Sequence, residues 1–201
     1  MDTQGGRVQQ LTNDIGNLFA PEVSPKGNRI AFTHETGGFQ SIWVMKIDGQ
    51  NPHPLFDSSG YDIDPTWSPS SMQLAFASGG TGNTHLYMVN ADGKKVRPVM
   101  ANGPAIGGRS SWSPDGKFLA FYSGERGNRN LYQMKVNGKG LRQITNGGDN
   151  LAPSFSPDGN WLAFTTYRNG NNDIYIKDME NNDTYQLTFS SSSEWQPRWG
   201  P

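Results

Sequence analysis

The sequence predicts an all-β propeller, and three observations carry that prediction. A Ser-Pro turn recurs at Ser24-Pro25, Ser68-Pro69, Ser113-Pro114 and Ser156-Pro157, 43 to 45 residues apart, with an eroded copy at Gly200-Pro201. A period of that size, divided into several short strands, marks a propeller blade. The same four strand-like segments appear inside every period. Gly, Asn and Ser are abundant while charged residues are 17% of the chain, as expected of many tight turns and few helices.

The first segment of each blade, strand a, is short and ends before the turn: Pro21-Glu22-Val23, Pro65-Thr66-Trp67, Ser110-Ser111-Trp112 and Pro153-Ser154-Phe155. The turn is best formed at Ser113-Pro114-Asp115-Gly116 and Ser156-Pro157-Asp158-Gly159. Pro presets φ, Asp bonds nearby backbone, and Gly supplies φ > 0. Lys26-Gly27 is milder, and Ser70-Ser71, without Gly, is weakest. Strand b reads Ile30-Ala31-Phe32, Leu74-Ala75-Phe76, Leu119-Ala120-Phe121 and Leu162-Ala163-Phe164. Alternation puts the large residues on one face and Ala on the other. Neither face is polar, so a bulky face is expected to meet the Ala-lined face of the neighbouring blade. Strand c carries an aromatic at one repeat position, Trp43, Tyr87, Tyr132 and Tyr175, which reads as core and blade-to-blade packing. Asp48-Gly49, Asp92-Gly93, Asn137-Gly138 and Asn181-Asn182 are hairpin signals. Strand d then ends at Leu55, Val99, Ile144 and Leu187.

Strand d recurs once more at the start, as Val8-Gln9-Gln10-Leu11-Thr12, and strand a once more at the end, as Pro197-Arg198-Trp199. The expectation is four complete four-stranded blades, at about 21–64, 65–108, 109–152 and 153–196, in one domain over 1–201, with an extra outer strand before them and an extra inner strand after them. The middle strands of that fifth blade are missing from the sequence. Exposed edges invite pairing, so a piece of a larger ring, or copies that associate as a homo-oligomer through the unpaired terminal strands, is expected over a self-sufficient ring.

Trp112–Gly116 and Phe155–Gly159 read W-S-P-D-G and F-S-P-D-G, each followed by Leu-Ala-Phe and then by Gly127-Asn128 with Leu131-Tyr132, or Gly170-Asn171 with Ile174-Tyr175. This tandem pattern resembles the TolB-like propeller family over about residues 7–201. The resemblance implies a propeller that serves as a protein-binding or scaffold module, in a parent protein that is periplasmic or extracellular. It equally admits the propellers that stand beside peptidase domains, and a lyase in which histidines hold a metal.

Several classes are excluded or disfavoured by composition. The net charge is -1 and no dense Lys/Arg run appears, so no nucleic-acid partner is expected. There is no Cys, which removes disulfides, Cys-bound zinc and a Cys nucleophile. No stretch approaches a membrane-spanning length of apolar residues, so no membrane insertion is expected. Met1-Asp2-Thr3-Gln4-Gly5-Gly6 has neither a basic region nor an apolar core, so no signal peptide is read here. The only histidines, His34, His53 and His85, share no repeat position, and no hydrolase or phosphate-binding motif is present. The chain is therefore read as not an enzyme. A metal-dependent lyase or hydrolase, or a peptidase's accessory propeller, is the alternative.

One charge distribution stands out. The loops from strand d to the next strand a carry Asp14, Asp57, Asp62, Asp64, Asp149 and Glu194 against a single base, Arg109. A ring of loops of one sign attracts the opposite charge. Tyr61 and Trp195 lie in the same loops and offer contact area. Asp62, Asp64, Asp149, Glu194, Arg109, Tyr61 and Trp195 are thus the candidate binding residues, with a protein or peptide partner of basic character. The opposing reading is a solvated face whose carboxylates form turns. No cofactor is expected; Ca²⁺ is the one ion weighed, with Asp62 and Asp64 as two oxygen donors.

Overall fold

The computed structural model describes residues 8–58, 60–80 and 83–199. Sixteen strands form four antiparallel four-stranded sheets in chain order, with no helix among the described residues. The first blade is β1 (Asn17–Val23), β2 (Arg29–Thr36), β3 (Phe39–Lys46) and β4 (His53–Pro54). The second is β5 (Asp62–Trp67), β6 (Gln73–Gly80), β7 (Asn83–Asn90) and β8 (Arg97–Pro98). The third is β9 (Ser111–Trp112), β10 (Phe118–Ser123), β11 (Asn130–Lys135) and β12 (Arg142–Gln143). The fourth is β13 (Asn150–Phe155), β14 (Trp161–Thr166), β15 (Asp173–Asp178) and β16 (Thr184–Gln186).

The faces pack as the alternation predicts. Ala31, Ile42, Val44 and Leu55 of the first blade cluster with Leu74, Phe76 and Val89 of the second. Ala75, Leu86, Met88 and Val99 meet Leu119, Phe121 and Met134 of the third, and Ala120 and Leu131 meet Leu162, Phe164 and Tyr175 of the fourth. Phe32, Phe76, Phe121 and Phe164 are fully buried. Each contributes about 1.5–3 kcal/mol of apolar burial, and the small Ala opposite lets the sheets approach. An indole N–H stitches neighbouring inner strands: Trp67 Nε1 donates to the Glu22 carbonyl (3.1 Å) and Trp112 Nε1 to the Thr66 carbonyl (3.1 Å).

Strand a begins earlier than its Pro suggests. β1, β5 and β13 each contain a bulge, with register breaks between Phe19 and Glu22, Ile63 and Thr66, and Leu151 and Ser154. A bulge breaks the two-residue alternation, and so hides the strand's first half from a pattern reading. The expected blade boundaries near 21, 65 and 153 therefore fall inside strands.

The two terminal segments take their expected places without forming strands. The Leu11 carbonyl presses on Gly49 as Leu55 presses on Gly93 and Val99 on Gly138, closer than any Cβ would tolerate. Leu11, Ile15 and Leu18 cover Ile30, Phe32 and Met45, which no preceding blade covers. At the other end, Trp199 Nε1 donates to the Ser154 carbonyl (3.0 Å), repeating the interblade bond of Trp67. Neither segment has a neighbouring strand to complete a ladder, so the extra outer and inner strands exist as docked chain. No strand of the fourth blade contacts a strand of the first among the described residues. The four sheets form an open arc around a channel.

The Ala-lined face of the fourth blade is uncovered. Leu187 is 51% exposed, whereas Leu55 is 9% and Val99 5% exposed. Trp199 is 38% exposed against 3% for Trp67.

Candidate functional site

The bulges build the channel mouth. Ala20, Asp64, Ala152 and Gln196 all take the left-handed backbone conformation, with φ of 48°, 56°, 49° and 52°. Two of these turns are held by the preceding blade: the Asp64 N–H donates to Thr33 Oγ1 and the Gln196 N–H to Thr165 Oγ1, both at 3.0 Å. Asp tolerates this conformation better than most residues, so the carboxyl of Asp64 is fixed at the mouth by its own backbone. The third blade departs from the pattern. It carries Gly108, at φ 142°, followed by Arg109.

Arg109 crosses the channel. Its Nη2 pairs with Glu22 Oε2 of the first blade, while Glu22 Oε1 accepts the Trp67 N–H (3.0 Å). The Asp64 carboxylate lies against Gly108, where any Cβ would collide with it. Burial pushes the Asp64 and Glu22 carboxyls above the usual carboxylate range, and Arg109 opposes the shift in both. Burial likewise raises the Tyr122 phenol, with Asp64 adding to the effect. Arg109 Nε is buried without a partner among the described residues. A cavity of about 360 Å³ adjoins this pair, lined by Glu22, Pro25, Pro69, Pro114, Arg198 and Trp199 among others.

The candidate residues do not all converge. Asp64 and Arg109 meet, together with Glu22. Asp62 is buried at the start of β5 and accepts the Ser58 hydroxyl from the preceding loop. Asp149 is buried and receives Arg129 through Nε (2.7 Å) and Nη2 (2.6 Å), with the Gly127 N–H at 3.0 Å. The Arg129 hydrogen bond, foremost, holds the Asp149 carboxyl below its usual range. Glu194 is half-buried, donates its N–H to the Asn172 carbonyl (2.8 Å) and accepts the Thr188 hydroxyl (3.2 Å). Tyr61 bridges Gln40 through the backbone, and Trp195 stands 56% exposed on the rim. Asp62 and Asp64 turn to different partners, and no three His, Asp or Glu side chains group to hold a metal ion among the described residues.

Glu22, Arg129 and Tyr122 shape the mouth although they lie outside the loops from strand d to strand a. The repeat itself points to Glu22: its position holds Thr66, Ser111 and Ser154 in the other blades. His34 lies within β2.

The chain matches the TolB beta propeller domain twice, over residues 1–105 and 96–201. It is 31% identical over 102 residues to a "Protein TolB homolog" of Chlorobaculum tepidum, covering 51% of this chain and 23% of that protein. Over 51 residues it is 41% identical to a "Tol-Pal system protein TolB" of Anaeromyxobacter dehalogenans, covering 25% of this chain and 12% of that protein. The matched stretches thus span less than a quarter of these relatives' lengths. Among solved structures, the putative TolB from Agrobacterium tumefaciens superposes with a TM-score of 0.78 at 23% identity, covering 95% of this chain and 69% of that one. This last likeness shows the fold.

Proposed function

We propose, on the premise that the chain belongs to the TolB beta propeller domain family, that it is a non-catalytic module binding a protein or peptide segment at the channel mouth. The carrying observation is the pairing of a fixed carboxylate with an exposed indole on equivalent supports. Asp64 and Gln196 take the same left-handed backbone conformation, each with its N–H bonded to a threonine of the preceding blade. Trp195, next to Gln196, is 56% exposed on that rigid support. Exposed aromatics held in place are the usual anchors of a partner surface. The exposed Asp14 and Asp57 on the same side give the mouth its preference for a basic partner. One relative is named as a Tol-Pal system protein, which supports a partner from such a system and a periplasmic or extracellular setting.

A lysine- and arginine-rich peptide, titrated at two ionic strengths, tests the reading. Binding should weaken with added salt. Trp195→Ala should lower affinity about tenfold, the loss of a hot-spot anchor. Salt-independent binding, or full affinity in Trp195→Ala, would overturn the mouth as the binding site.

A further inference from the structure

A second place on the same side of the molecule lacks something that the fourth blade possesses. A cleft of about 630 Å³ opens between the β2–β3 loop of the first blade and the chain that leaves β4. Its walls are aromatic. His34 stacks on Trp43 with ring centroids 4.2 Å apart, Phe39 is exposed and packs on the backbone of Gly60, and Phe56 lines the cleft beside them. Its polar groups are acceptors. The Asp57 carboxylate is exposed, and Gln40 Oε1 is buried without a hydrogen-bond partner among the described residues. Aromatic faces beside a carboxylate and an unpaired carbonyl oxygen suit a flat, weakly hydrated cation with several donors, which describes a guanidinium better than an ammonium.

The fourth blade shows the same place filled from within. Phe32 pairs with Trp43 and Phe164 with Tyr175, so Trp43 holds the repeat position of Tyr175 and Thr36 that of Arg168. In the fourth blade Arg168, from the corresponding loop, sits 4.5 Å from the Tyr175 ring with Nη2 3.4 Å from Asn150 Oδ1. The first blade's loop, Thr36-Gly37-Gly38-Phe39, has no base to offer. We infer that this cleft takes an arginine side chain from a partner polypeptide, seated against the aromatic walls with Asp57 and Gln40 Oε1 as acceptors. The inference rests on the binding-module reading only for the source of that arginine; the cleft shares Asp57 with the acidic side of the mouth, and Trp195 belongs to the mouth alone.

The test follows the Trp43 indole N–H by NMR while Gly-Arg-Gly amide is added, with Gly-Lys-Gly amide as control. The arginine peptide should shift that signal and bind about fivefold more tightly than the lysine peptide. Asp57→Asn should weaken it. Thr36→Arg, which supplies the cleft with the fourth blade's own guanidinium, should abolish binding while the far-ultraviolet spectrum and melting temperature are retained. Trp195→Ala should leave it unchanged. No shift with the arginine peptide, equal binding of the lysine peptide, or undiminished binding in a folded Thr36→Arg protein would overturn the inference. Loss of binding in Trp195→Ala would move the arginine to the mouth and overturn the cleft alone.

Discussion

At the scale of single residues, Glu22 does the work of a repeat residue and one thing more. In the third blade Ser111 Oγ accepts the N–H of Phe155 (3.1 Å), tying one inner strand to the next. Glu22 Oε1 makes the equivalent bond to Trp67 and leaves Oε2 for Arg109 across the channel. Glu22→Ser should keep the first bond and leave Arg109 without its partner, at about 2 kcal/mol in urea unfolding. Adding Arg109→Ala should recover most of that loss, because an uncompensated charge is costlier than none. Two wild-type responses here would mean that the pair is solvated. The pH dependence has a definite sign. Glu22 and Asp64 have raised folded-state pKa values, so their contribution is fully present below the ordinary carboxylate range and is lost as pH rises through the raised values. The sequence displays the carboxylates of the mouth but not the donors that meet them. Asp149 looks free in the sequence until Arg129 arrives from the β10–β11 loop, 20 residues earlier. Glu22 was legible by another route, as the one acid in a column of small hydroxyl residues.

At the scale of the element, the Ser-Pro turn was legible and its chemistry is uniform. Ser24, Ser68, Ser113 and Ser156 each accept an N–H through Oγ, from Arg29, Gln73, Phe118 and Trp161. Where Asp follows, a second link forms: the Ser113 hydroxyl donates to Asp115 (2.6 Å), which accepts the Lys117 N–H (3.0 Å). The Ser113 hydroxyl is the main reason why the Asp115 carboxyl falls to about 2. Its contribution is present above the ordinary value of 3.8 and is lost as pH falls through about 2. Ser113→Ala should return the Asp115 titration toward 3.8 by NMR and cost about 1 kcal/mol. An unmoved titration would sink the assignment to the hydroxyl. The second turn lacks Gly, as the sequence shows, and Ser71 takes φ 60° where Gly27 and Gly116 take 70°. The inner-strand bulge was not legible in the same way. Its extra residue breaks the alternation, and the threonine that fixes it lies 31 residues away.

At the scale of the molecule, the blades stack by nearest-neighbour contacts, as repeat arrays do. The face rule was readable from strand b alone, because Leu-Ala-Phe declares one large and one small side. What the sequence could not show is which end of the stack stays uncovered, since that depends on where residues 8–18 dock. The prediction uses one repeat position in two settings. Leu55→Arg puts a charge into the first interblade core and should cost more than about 3 kcal/mol or prevent folding. Leu187→Arg lies on the uncovered face and should stay within about 0.5 kcal/mol of the parent. Equal damage from both would show that something covers the fourth blade in solution.

The two ends of the arc therefore differ as substrates for gene duplication. A blade added after the fourth finds half-buried Ile174 and Ile176 and exposed Leu187 on the outer face of the last sheet and Trp199 already bonded to Ser154. A blade added before the first must evict Leu11, Ile15 and Leu18 from the large face of β2. Lengthening by copying one repeat is mechanically simple in one direction and requires a rearrangement in the other, so the docked N-terminal segment sets a polarity on how such an array can grow.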